Sequence, residues 1–233
     1  RGDGTFEDVT EASGARGPGT FPTSAMFFDY DKDGHLDLVV AHYVTWTLEG
    51  DLHCTLDGTT KSYCTPESYE GESPTLLRNR GDGTFEEVGM LAGMAFDETG
   101  KARAGMGIDS ADYSEQGRAG LLIANVSGEM LALYANVGNG LYEDDAPTSE
   151  VGRASFLTLA FGIFFFDNDL DGLFDIFAGN GHVADDIGAV QPSVKHAQPP
   201  HVFRNLGGRR FEEVTAELGP ALQRPLVARG AAN

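Results

Sequence analysis

Two short stretches carry residues whose type and spacing call for a ligand. The first is D-Y-D-K-D-G-H-L-D, Asp29 to Asp37, and the second is D-N-D-L-D-G-L-F-D, Asp167 to Asp175. Aspartates at positions 1, 3 and 5 (Asp29, Asp31, Asp33; Asp167, Asp169, Asp171) point three carboxylates to the inside of a turn. Glycine at position 6 (Gly34, Gly172) permits the sharp bend, position 7 (His35, Leu173) offers a backbone carbonyl, and the aspartate at position 9 (Asp37, Asp175) closes the shell. That many hard oxygen ligands suits calcium better than zinc or copper. Without a cation, four carboxylates this close repel one another. The loops are not helix-loop-helix calcium hands, which need a glutamate at position 12. Position 12 is Val40 in one and Ala178 in the other. A third stretch, D-Y-S-E-Q-G-R-A-G from Asp112 to Gly120, keeps the first aspartate and the glycine Gly117 but replaces the other acids. Weak or absent calcium binding is expected there, with the turn kept by Gly117 and side-chain hydrogen bonds.

The three stretches sit inside a repeat. Each lies between apolar, β-favouring segments: SAMFFDYDKDGHLDLVVAH, GIDSADYSEQGRAGLLIAN and GIFFFDNDLDGLFDIFAGN. These read as strand, loop, strand. A second element alternates with them: RGDGTFEDV from Arg1 to Val9, NRGDGTFEEV from Asn79, NVGNGLYEDD from Asn136 and NLGGRRFEEV from Asn205. Glycine, Asn and Asp flanked by apolar residues have the chemistry of a β-hairpin. The pairs Leu76-Leu77, Leu133-Tyr134 and Val202-Phe203 precede the last three copies. From hairpin glycine to the next acidic loop the distance is 27, 31 and 29 residues (Gly2 to Asp29, Gly81 to Asp112, Gly138 to Asp167). The return connections vary more, so insertions are confined to one side of the repeat. A unit of strands and turns of this size, without helical periodicity, predicts an all-β chain of β-propeller blades. Approximate units are 15–90, 91–150 and 151–215. Both ends of the chain read as cut within a repeat, so the expectation is a partial propeller of about three units, with the remaining blades supplied by chain outside this sequence.

Bulk composition sets the outer limits. The 233 residues carry a net charge of -20, which repels phosphate backbones and argues against nucleic acid as a partner. Hydrophobic residues make up 41%, the range of a folded soluble domain. The longest weakly polar run, Ala154 to Phe166, is too short to span a bilayer. The two cysteines, Cys54 and Cys64, form either a local disulfide or two free thiols; the disulfide is the expectation and implies an oxidising compartment.

The alternation of D-x-D-x-D-G-x-x-D loops with N-x-G-D-G-x-F-E hairpins resembles the FG-GAP or VCBS-type repeats of integrin-like β-propellers. The segments SYCTPESYEG, SGEMLALYANVGNG and AGNGHVADD, followed by QPPHVFRN, resemble the bacterial branch related to cartilage acidic protein, whose members often carry an ASPIC/UnbV domain. The resemblance implies a secreted, periplasmic or surface-attached propeller, commonly seven-bladed, with calcium in the loops. Its implied ligands are Asp29, Asp31, Asp33 and Asp37, and Asp167, Asp169, Asp171 and Asp175.

Catalytic signatures are poor. There is no G-x-S-x-G, no H-E-x-x-H and no P-loop. His182, Asp185 and Asp186 form one cluster that could serve as a second metal site or as an acid–base group, but a polar loop set is the commoner explanation. His196 and His201 read as loop or packing residues, and Trp46 with Tyr43 as a core or loop anchor in preference to a sugar platform. The expected function is therefore a non-catalytic, calcium-stabilised scaffold contacting a protein or glycan. The rival is the propeller portion of a polysaccharide-active enzyme, such as a lyase, with active residues in the insertions.

Overall fold

The computed structural model describes residues 2–17, 19 and 21–232. Arg1, where the first hairpin copy begins, lies outside them. The strands are β1 (Pro22–Phe28), β2 (Asp37–His42), β3 (Cys54–Thr55), β4 (Lys61–Ser62), β5 (Thr75–Asn79), β6 (Phe85–Glu87), β7 (Gly105–Ala111), β8 (Gly120–Asn125), β9 (Ala132–Gly138), β10 (Leu141–Asp144), β11 (Ala160–Phe166), β12 (Asp175–Asn180), β13 (His201–Asn205) and β14 (Phe211–Glu213). They form three four-stranded antiparallel sheets, β1-β2-β5-β6, β7-β8-β9-β10 and β11-β12-β13-β14, with β3-β4 a separate two-stranded hairpin. Each four-stranded sheet is a propeller-type blade. Its first two strands flank an acidic loop and its last two flank a glycine hairpin, as the repeat predicts.

The blades stack face to face, β7 against β1 and β2, then β11 against β7 and β8. Period-two alternation explains how one strand serves two interfaces. On β8, Leu121 and Ile123 enter the core shared with Val39, Ala41 and Leu76 of the first blade. Leu122 and Ala124 enter the core shared with Ile163, Phe165, Ile176 and Phe203 of the third. Hence the middle strand is buried at every position, while β2 alternates buried and half-buried positions over its first five residues.

Close stacking of the inner strands requires glycine at one position. Gly107 is the third residue of β7, and a Cβ there would lie 2.0 Å from the backbone oxygen of Phe161 on β11. Gly162, the third residue of β11, faces Ala231 in the same way, at 2.3 Å from its nitrogen. Backbone atoms cannot swing aside as a flexible side chain does. Gly107→Ala is therefore expected to destabilise the fold by about 1–3 kcal/mol through overpacking. A thermal melt checks this: an unchanged midpoint would mean that the blades do not approach so closely.

Two sequence expectations change. The first hairpin copy forms no strand over residues 2–9. Its turn survives, with Asp3 Oδ1 accepting from Thr5 N at 2.9 Å as Asp82 does from Thr84 N at 2.9 Å. The chain is also not free of helix: α1 (Thr10–Ser13), α2 (Glu150–Ser155) and α3 (Ile187–Val190) occupy connections, and the Ser149 Oγ accepts from Gly152 N to cap α2.

Topology sorts the connections onto two ends of the blades. Acidic loops and glycine hairpins lie at one end. The insertions after β2 and β12, and the turn between β8 and β9, lie at the other.

Candidate functional site

All three acidic loops share one backbone. The first aspartate accepts from the N–H groups of positions 5 and 6: Asp29 from Asp33 N (3.1 Å) and Gly34 N (3.1 Å), Asp167 from Asp171 N (3.1 Å) and Gly172 N (3.0 Å), Asp112 from Gln116 N (3.0 Å) and Gly117 N (2.6 Å). Position 4 is left-handed in each, with φ of 65° at Lys32, 59° at Glu115 and 62° at Leu170. The glycine at position 6 is left-handed too, φ 90°, 69° and 90° at Gly34, Gly117 and Gly172. A turn held by one aspartate and one glycine thus needs none of the further acids.

In the first loop, carboxylate oxygens of Asp29, Asp31 and Asp37 lie within 4.8 Å of one another; in the third, those of Asp167, Asp169 and Asp171 do. Asp33 and Asp175 lie beside these trios within the same loops, and His35 and Leu173 occupy position 7. The donors are all oxygen, as calcium requires.

Position 9 has a further duty that spacing did not reveal. Asp37 is fully buried and accepts from Asn79 N (2.7 Å) and Tyr30 N (3.0 Å). Asp175 is buried as well and accepts from Asn205 N (2.7 Å) and Asn168 N (2.9 Å). Each carboxylate ties its own loop to the following hairpin. Burial pushes both carboxyls up, against those hydrogen bonds, and the neighbouring loop aspartates add to the rise. The hairpin asparagines extend the tie across blades: Asn136 Nδ2 donates to Tyr30 O (2.8 Å) and Asn205 Nδ2 to Tyr113 O (2.9 Å).

The middle loop is rebuilt around a side chain. Gly120 stands where the other loops have the buried aspartate, and the Tyr113 ring lies where a Cβ on Gly120 would be, 2.4 Å away. Tyr113 Oη donates to Asp145 Oδ2 (2.9 Å). Arg118 at position 7 donates to Asn136 O (3.0 Å) and to Gln116 Oε1. The one carboxylate kept, Asp112, is taken up by the turn.

At the opposite end, His182 is separated in burial from Asp185, which is exposed. His182 is fully buried. Its Nδ1 accepts from Ala184 N (3.1 Å), and its Nε2 faces Glu67 Oε1 at 3.2 Å, across 115 residues. Ser127 Oγ donates to the same Glu67 oxygen. Burial raises the Glu67 carboxyl, but the bonds from His182 and Ser127 outweigh it and the net shift is downward. Both ring nitrogens are engaged, and the contact with Glu67 makes His182 a strut between the first and third blades. Nearby, Glu129 accepts from Ala104 N (2.7 Å) and is pushed up to about 7 by burial, with the Glu67 charge adding to the rise. His196 Nδ1 lies 3.0 Å from Ala184 O, and His201 packs edge-on against Phe203. Trp46 is exposed and donates to Asp51 Oδ1 (3.2 Å), while Tyr43 packs on Phe21. Cys54 and Cys64 are joined in a disulfide, with sulfurs 2.06 Å apart.

Among known families, the FG-GAP-like repeat matches residues 1–40, a span that includes the whole first acidic loop and β1. No curated protein matches the chain. Among the described residues no helix is long and apolar enough to cross a membrane.

Proposed function

We propose that this chain is a calcium-stabilised, extracellular propeller scaffold that presents its insertion end to a protein or glycan and performs no chemistry of its own. The observation that carries the reading is the contrast among the three loops. The Asp112 loop holds the same backbone with a single engaged carboxylate, so the additional acids of the other two are not there to make the turn. Their mutual approach in two matching places is costly without a cation. Asp29, Asp31, Asp33 and Asp37 would hold one ion, with Asp167, Asp169, Asp171 and Asp175 holding the other and position 7 (His35, Leu173) adding its carbonyl. The ion supplies charge neutralisation and fixes each loop between its strands.

The likeness of residues 1–40 to an FG-GAP-like repeat supports the same assignment for the first site. The disulfide supports an oxidising, extracellular setting. The engagement of both His182 nitrogens supports the non-catalytic reading. Membership of the cartilage acidic protein branch is proposed on the segments around Cys64, Ser127 and His182.

Calorimetric titration with calcium after chelator treatment should give two ions per chain. Asp31→Ala and Asp169→Ala should each remove one, and Asp112→Ala none. A chain that takes up no calcium overturns the proposal.

A further inference from the structure

The insertion end contains a cavity of about 960 Å³, which runs between the Pro66–Ser68 turn, residues 96–103 and the β8–β9 turn. Its wall includes Glu67, Asp97, Glu98, Arg103 and Glu129, with the ring faces of Tyr69, Phe96 and Phe156. Two residues of that wall each bury a polar atom, closed off from solvent, that has no hydrogen-bond partner. Arg103 is 6% exposed; its Nη2 meets Asp144 at 2.7 Å, and its Nη1 has no hydrogen-bond acceptor. Glu67 gives Oε1 to Ser127 and His182, and its Oε2 has no donor. Carboxylates and the aromatic residues Tyr69, Phe96 and Phe156 lining one cavity suit a ring with apolar C–H faces and polar substituents.

Tyr69 also lines an adjoining cleft of about 470 Å³, with Tyr43, Trp46 and Tyr63. Asp51 accepts from Trp46 Nε1, Tyr69 Oη (3.1 Å) and Lys61 Nζ (2.9 Å), so both aromatic rings are fixed before any ligand arrives. The Cys54–Cys64 disulfide closes the insertion that carries them. Rigid aromatic faces cost little ordering entropy on binding.

Charge narrows the choice of sugar. The cavity wall carries Glu67, Glu70, Asp97, Glu98 and Glu129 against Lys101 and Arg103. That excess repels uronates and sulfated sugars and attracts an ammonium group. We propose that the cavity and the aromatic cleft form one extended glycan site whose ligand is an oligosaccharide of amino sugars with free ammonium groups. This deepens the scaffold reading and rests on it. Glu129, which burial raises to about 7, is the carboxylate that an ammonium group would return to its charged form.

Isothermal calorimetry on the calcium-loaded 233-residue chain tests this with four probes: glucosamine tetramer, N-acetylglucosamine tetramer, galacturonate tetramer and tetralysine. The glucosamine tetramer is expected to bind at least tenfold more tightly than its acetylated form, with no binding of the galacturonate. Trp46→Ala should weaken binding of the glucosamine tetramer at least tenfold. Glu129→Gln should remove most of the preference for the free amine. Absence of saccharide binding, a preference unchanged in Glu129→Gln, or tetralysine binding as tightly as the amino sugar overturns the proposal; the last outcome would mark a site for basic peptides. Melting curves confirm that both variants fold, and the four wild-type titrations decide the matter if one does not. Calcium uptake measured on the same samples separates the two readings, since a chain that binds calcium but no glycan loses only this inference.

Discussion

Chelation of calcium is expected to lower the melting temperature of this chain by roughly 10–20 °C. At free calcium of about 100 times the dissociation constant, each site adds roughly 2.7 kcal/mol to the folded state, and two sites about twice that. For a domain of this size each kcal/mol moves the midpoint by about 2–4 °C. The ion acts where the fold is electrostatically weakest. Three carboxylates converge within 4.8 Å in each full loop, and the only cationic side chain paired with either trio among the described residues is Arg204, whose Nε lies 3.5 Å from Asp169. Both loops also anchor the first two strands of a blade, so their loosening reaches β1–β2 and β11–β12 directly. Magnesium should restore less of the midpoint, since it demands a smaller octahedral shell and gives up its waters reluctantly. Differential scanning calorimetry with and without chelator reads the effect. A melt that does not move, with no calcium found by elemental analysis, ends the metal reading.

The parts of this molecule that were legible in its sequence are those set by local chemistry. The turn glycine of each loop, the side-chain hydrogen bonds that hold the Asp112 turn, and the hairpins after Leu76-Leu77, Leu133-Tyr134 and Val202-Phe203 all depend on residues a few places apart. The degraded Asp112 loop was legible for the same reason. Contacts between blades were not. Nothing local ties Glu67 to His182 or Ser127, because their meeting depends on how the first blade stacks on the second and the second on the third. A signal was present in one form: the segments around Cys64, Ser127 and His182 each stood out by resemblance, and each contributes a member of that contact. The polar-loop reading of His182, Asp185 and Asp186 missed the inward turn of His182: nearness in sequence is a poor guide in an irregular insertion, where the backbone buries His182 and leaves Asp185 exposed.

Asp175 separates two roles that the repeat merges into one motif. Spacing makes it the fourth calcium ligand, and the fold makes it a tie between the third loop and β13. Asp175→Ala is expected to destabilise the chain by about 3–5 kcal/mol, because the N–H groups of Asn205 and Asn168 lose their acceptor, at about 1–3 kcal/mol each, and a small cavity is left. The carboxylate is 1% exposed, so water does not readily replace it. Asp169→Ala should behave differently. Its carboxylate is more exposed and accepts no backbone tie of this kind among the described residues, so its contribution runs through the ion. In calcium both variants should melt early. In chelator the Asp169→Ala deficit should disappear, since the substitution also removes a repelling charge, whereas the Asp175→Ala deficit should persist nearly in full. A deficit for Asp175→Ala that vanished with the metal would mean that the carboxylate serves the ion alone. Persistence would mark the tie between loop and hairpin as structural; in the middle blade, where Gly120 leaves room for the Tyr113 ring, Arg118 makes that tie to Asn136 O without a carboxylate.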